Sequence, residues 1–130
     1  MQKTIFAALL ALPLSTGCAA VVAGTAAGIV ISKEATDNHA YVSRVNADVN
    51  EVWAIAKTTL SDASTELIEV DDQTRVAKGK IDGAEVVVTV EAYDYGKSTI
   101  RVHAERYYMN DGDTANRLLD KLLTRLERTS

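Results

Sequence analysis

Apolar and polar positions divide the chain into an uncharged N-terminal stretch and a patterned remainder. From Thr4 to Ser32, 29 residues, no charged side chain occurs. Beyond Ala40 the apolar residues recur with either the two-residue period of a strand or the 3.6-residue period of a helix. Tyr41-Val42-Ser43-Arg44-Val45 reads as a short strand. Asp48-Val49-Asn50-Glu51 follows as a capping box, in which each acidic side chain satisfies a free amide at a helix start. Val49, Val52, Trp53, Ala56, Leu60 and Ala63 then form one helical stripe, with Trp53 its largest core anchor.

Four strands are expected next. Glu66 to Asp71 is followed by a turn at Asp72-Gln73, and Arg75 to Ile81 by the two-residue hairpin signal Asp82-Gly83. That turn sets Lys80 against Glu85 and Gly79 against Val86, where a glycine under a helix implies close backbone approach. Ala84 to Tyr95 carries Val86, Val88, Val90 and Ala92 in phase, and Ser98 to Tyr108 carries Ile100, Val102 and Ala104. A three-residue loop, Tyr95-Gly96-Lys97, keeps both apolar sets on one side, pairing Ala92 with Ile100, Val90 with Val102 and Glu91 with Arg101. A one-residue slip would turn one set outward. Asn110-Asp111-Gly112 forms a turn, Asp113 or Thr114 caps the last helix, and Leu118, Leu119, Leu122, Leu123 and Leu126 form its stripe. The expected fold is α+β: a two-layer sandwich of order β-α-β-β-β-β-α, an antiparallel meander with two helices on one face.

The N-terminal stretch reads as an address. Met1-Gln2-Lys3 is a short positive segment, and Ile5 to Leu14 is a ten-residue apolar run of secretory-signal length. Leu14-Ser15-Thr16-Gly17-Cys18 then brings the only cysteine of the chain. This segment resembles the lipobox of bacterial lipoproteins, with Gly17 and Thr16 fitting the pattern and Ser15 standing where leucine is commonest. The resemblance implies lipid transfer to the Cys18 thiol, cleavage after Gly17 and acylation of the new N-terminus. The competing reading is an uncleaved anchor, because about 20 apolar residues suffice to span a bilayer; Pro13 and the Ser-Thr-Gly-Cys break interrupt such a helix. Residues 18–39 read as an Ala/Gly-rich tether and polar linker, and 40–130 as the α+β domain. Gly24 and Gly28 in the tether form a single small-xxx-small spacing. Ala19 after the cysteine, rather than aspartate, resembles the outer-membrane sorting signal of enteric bacteria. The implied location is the inner leaflet of the outer membrane, facing the periplasm.

Composition narrows the rest. The net charge is −4, and losing Lys3 with the leader makes it −5, which argues against nucleic acid as a partner. One cysteine cannot form an internal disulfide. His39 and His103 are the only histidines, too few for a zinc site, and Asp71-Asp72 and Asp111-Gly112-Asp113 lack the remainder of a calcium loop. Glu91, Asp94 and Glu105 are carboxylates with no cleft to hold them. No phosphate loop, nucleophile elbow or metalloprotease motif occurs. No catalytic residue, metal or cofactor is therefore expected.

The outward-facing strand positions are more informative. Val87, Tyr93, Arg101, His103 and Tyr107, among Val76, Lys78, Lys80, Glu85 and Glu91, mix aromatic, apolar and charged groups as protein interfaces do. They are the expected partner face of an envelope module anchored at Cys18. The rival expectation is a carrier or sensor, with an apolar ligand in a cavity lined by Val88, Val90, Leu119 and Trp53.

Gly17-Cys18, the Ala/Gly tether, Tyr41-Val42, Val52-Trp53-Ala54, Gly79-Lys80-Ile81-Asp82-Gly83, Thr99-Ile100-Arg101-Val102 and Gly112-Asp113 together resemble a family of short bacterial lipoproteins known only as a domain of unknown function. That resemblance implies no activity. A weaker, fold-level similarity is to the helix-grip domains of BamC-type outer-membrane assembly lipoproteins.

Overall fold

A computed structural model describes residues 29–36 and 39–129. The signal-like leader, Gly17, Cys18 and the tether up to residue 28 lie outside the described residues. Strands β1 (Val30–Ala35) and β2 (Tyr41–Val45) precede helix α1 (Val49–Ala63). Strands β3 (Glu69–Asp71), β4 (Val76–Ile81), β5 (Ala84–Asp94), β6 (Lys97–Arg106) and β7 (Met109–Asn110) follow, and helix α2 (Gly112–Thr129) closes the chain. The class is α+β, as the periodicities predict. All seven strands form one antiparallel sheet of order β1-β2-β6-β5-β4-β3, with β7 paired to β6. Strands β3 to β6 are the expected meander; β2 returns beside β6, and β1 adds an edge.

Alternation builds the core. Val86, Val88 and Val90 on β5, with Ile100, Val102 and Ala104 on β6, are buried and share one cluster with Val52, Trp53, Ala56 and Leu60 of α1. The same cluster takes Leu118, Leu119, Leu122, Leu123 and Leu126 of α2. The predicted stripes are therefore the buried ones, apart from Val49 and Ala63, which are half-buried at the margin of the cluster, and Ala92, which is exposed where β5 runs past the core. Two buried serines find backbone partners: Ser98 Oγ donates to the Ala47 carbonyl at 2.7 Å, and Ser43 Oγ to the Ser32 carbonyl at 2.8 Å.

Two strands depart from the sequence reading. Val30–Ala35 belongs to the stretch read as tether and linker, yet it pairs with β2 from Val30–Val45 to Ala35–Tyr41. Ile29 is buried in the core, and Lys33 forms an ion pair with Asp120 of α2. Its Lys and Glu hide the strand pattern, but such charges are ordinary on an edge strand, where they deter further pairing. At the other end, the expected strand Ser98 to Tyr108 stops at Arg106. A two-residue turn, Tyr107-Tyr108, leads back into β7, with Arg106 opposite Met109. Strand β3 keeps only Glu69–Asp71 of the expected Glu66–Asp71.

The hairpin at Asp82-Gly83 forms as expected, with Lys80 opposite Glu85 and Gly79 opposite Val86. The next hairpin does not. Asp94 pairs with Lys97 around a Tyr95-Gly96 turn, and an irregularity between Ala92 and Asp94 restores the apolar phase. Val90 thus faces Ile100 and Ala92 faces Ser98, while Arg101 lies opposite Thr89 rather than Glu91. Both registers keep the valines in the core. The bulge supplies the extra residue that the three-residue loop was expected to supply.

Candidate interaction surface

The strand positions that alternate with the core set form the surface from which a function must be read. Val87 is half-buried and lies directly opposite His103 on β6 and Lys78 on β4. Arg101 is exposed between Thr89 on β5 and Val42 on β2. The sheet therefore brings Val87, Arg101 and His103 together, on a floor of half-buried Val42, Thr89 and Thr99. His103 Nε2 is 3.0 Å from Asn110 Oδ1, so β7 fixes its ring at the margin of this floor. Lys78, Glu85, Glu91 and Glu105 surround it as exposed charges of both signs.

The two tyrosines of the predicted face stand apart from that centre. Tyr93, 42% exposed, sits at the bulge of β5, and the Arg44 guanidinium carbon lies 5.2 Å from its ring centroid. Tyr107, 86% exposed, occupies the turn after β6. The length of β6 lies between them, roughly 30 Å at about 3.3 Å per residue. The predicted face is thus three regions, a mixed centre and an aromatic tip at each end.

Sequence reasoning missed the tips. Tyr95 at one and Tyr108 at the other are almost wholly exposed, and Met109 beside Tyr108 is largely so. Tyr107 and Tyr108 both adopt the left-handed conformation, with φ of 55° and 65°. Such a turn ordinarily selects Asn-Gly, so nothing in the residue types announces it. Arg44 was legible only as a strand residue; its contact with Tyr93 needs β2 beside β6.

The acidic groups have structural partners. Asp71 Oδ1 accepts from the Gln73 and Thr74 amides, an Asx turn at the end of β3. Asp72 Oδ1 accepts from Trp53 Nε1 and from Lys57 Nζ, which together hold its carboxyl below the usual range, the Lys57 contact most strongly. Asp111, not Asp113 or Thr114, caps α2. Its carboxylate accepts from the Thr114 hydroxyl and amide and from Arg106 Nε, and the Thr114 hydroxyl leads in lowering its pKa. Among the described residues, no group of three metal-ligating side chains converges. A cleft of about 390 Å³ between the helices is lined by Thr59, Asp62, Asp120 and Arg125, and an Arg125–Asp62 ion pair at 2.6 Å crosses it. Val88, Val90 and Leu119 are fully buried in the packed cluster and do not line that cleft. Among the described residues no helix is long and apolar enough to cross a membrane.

A family model described as "Protein of unknown function (DUF3568)" matches residues 3–124, from within the leader to the middle of α2. No curated protein and no solved structure matches the chain, so the fold-level similarity to BamC-type domains carries no further argument.

Proposed function

The chain belongs to the DUF3568 family of proteins of unknown function, and on its own residues we propose a non-enzymatic envelope module, lipid-anchored at Cys18, that binds a protein partner. Its place is the periplasmic side of the outer membrane. The partner surface is the centre of the sheet around Val87, Arg101 and His103, extended by Tyr93 and Tyr107. The observation that carries this reading is Val87: an aliphatic residue of a central strand, outside the core cluster, framed by an arginine and a histidine. Interfaces favour an apolar centre ringed by such polar groups. A ligand carrier would need space beside Val88, Val90 and Leu119, and these side chains are enclosed by the packed core.

Two measurements test the proposal separately. Mass spectrometry of the mature N-terminus should find an acylated Cys18; an unmodified thiol removes the anchor. Crosslinking in intact membranes should trap one partner with the wild-type chain and lose it with Val87→Glu at unchanged circular dichroism. Undiminished crosslinking by that variant removes the partner surface.

A further inference from the structure

The point at which the chain enters the domain orients it. Ile29 is buried, and its carbonyl accepts the Asn46 amide at 2.8 Å, so the entry is pinned beside the C-terminal end of β2. Strand pairing places Val30, Val45, Ser98 and Ala92 in one row across β1, β2, β6 and β5. The Tyr95-Gly96 turn lies just beyond this row. With strands about 4.8 Å apart, the turn is roughly 15–20 Å from the entry, at the same end of the sheet. The Tyr107-Tyr108 turn is at the opposite end of β6.

Only residues 19–28 separate Cys18 from Ile29, and none is charged. Fully extended they reach no more than about 40 Å. Ten apolar and small residues gain nothing from standing out into water, and their favoured place is the membrane surface. A lipid at Cys18 therefore brings the entry end of the sheet to that surface first.

That end carries the groups a headgroup layer accepts. Tyr95 is 98% exposed, Ile31 is 45% exposed, and Lys97 follows the turn. Tyrosine is enriched at membrane–water interfaces, and Lys and Arg stems lie along apolar surface with their charges in water. Glu91 and Asp94 offset Arg44 and Lys97. This balance suits zwitterionic headgroups rather than a strongly anionic layer.

Resting on the lipid-anchor reading, we propose that the β5–β6 turn docks on the membrane, seating Tyr95 among zwitterionic headgroups and turning Tyr107 and Tyr108 away. The test uses the full lipidated chain in phosphatidylethanolamine–phosphatidylcholine vesicles, with an environment-sensitive fluorophore on Tyr95→Cys or, separately, Tyr108→Cys. Acylation of Cys18 leaves the introduced thiol as the sole labelling site. The expected result is blue-shifted emission at position 95, quenched several-fold more by spin-labelled lipid than at position 108. Vesicle flotation with equally aqueous probes at both positions overturns the docking and leaves the anchor standing, as does a probe buried at 108 instead of 95. A chain that fails to float overturns the anchor and the docking with it.

Discussion

Trp53 donates its indole N–H to Asp72 Oδ1 at 2.8 Å, tying the first helix to the turn between β3 and β4. Lys57, one turn further along the same helix, reaches the same oxygen at 3.0 Å and lies 5.2 Å from the indole centroid. The only tryptophan thus reports on one carboxylate. Because the folded pKa of Asp72 is depressed, its contribution is present above the ordinary carboxylate value and is lost as pH falls through the folded value. Trp53 emission should therefore change in acid below the usual carboxylate range, before global unfolding. Asp72→Asn should abolish that early change in a fluorescence titration. A variant that titrates like the wild type would show that another group is responsible.

Gly79 is the narrowest point under the segment that leaves α1. A Cβ there would stand 3.0 Å from Ser64 Oγ and 3.1 Å from Ile68 Cγ2. Ser64 is not free to withdraw: its hydroxyl donates to the Glu66 carbonyl at 2.7 Å and accepts the Lys80 amide at 3.0 Å. Gly79→Ala should cost about 1–3 kcal/mol, the usual range for overpacking. Denaturant unfolding should show a lower midpoint at unchanged slope, and a neutral result would mean that the Ser64 turn yields.

The turn after β6 should respond in the opposite direction. Left-handed backbone costs a non-glycine residue roughly 1–2 kcal/mol, and Tyr107 and Tyr108 adopt it in succession. Both side chains are exposed, so little packing is lost on their removal. Tyr107→Asn with Tyr108→Gly should raise stability by about 1–2 kcal/mol, or several degrees in Tm for a domain of this size. A calorimetric scan checks the sign; a lowered Tm would mean that the tyrosines make contacts worth more than the strain.

Both helices and the central strands were legible because their buried stripes are long and regular. Val86, Val88 and Val90 name their side of the sheet whatever the turn, since a two-residue shift leaves every side chain facing as before. For the same reason the pattern could not choose between Val90 opposite Val102 and Val90 opposite Ile100; the bulge at Tyr93 decides it. Strand β1 was hidden because Lys33 and Glu34 satisfy an edge, not a core, and Lys33 finds its partner 87 residues away in Asp120. The proposed interaction surface was half legible. Val87, Arg101 and His103 follow from alternation, whereas Tyr95 and Tyr108 are prominent only through the turns that carry them, and at Tyr108 the residue type does not favour the backbone conformation.

The cap of α2 offers the clearest pH-linked stability change. Asp111 accepts the Thr114 amide at 3.1 Å, the Thr114 hydroxyl at 2.7 Å and Arg106 Nε at 3.2 Å, joining the helix start to the end of β6. The Arg106 guanidinium also donates to the Asp82 carbonyl, so the same arginine ties in the β4–β5 turn. Loss of an N-cap costs about 0.5–2 kcal/mol, and Asp111→Ala removes the arginine's partner as well, so the upper part of that range is expected. The folded pKa of Asp111 is lowered, led by the Thr114 hydroxyl. Its contribution is accordingly full above the ordinary aspartate value and disappears as pH falls through the lowered one. Unfolding of the wild type and of Asp111→Asn, measured from neutral pH into acid, should differ most at neutral pH and converge below the carboxylate range. Asparagine retains the capping geometry without the charge, so the neutral-pH gap measures the ionised contacts to Thr114 and Arg106, and parallel pH profiles would assign the acid loss to other carboxylates.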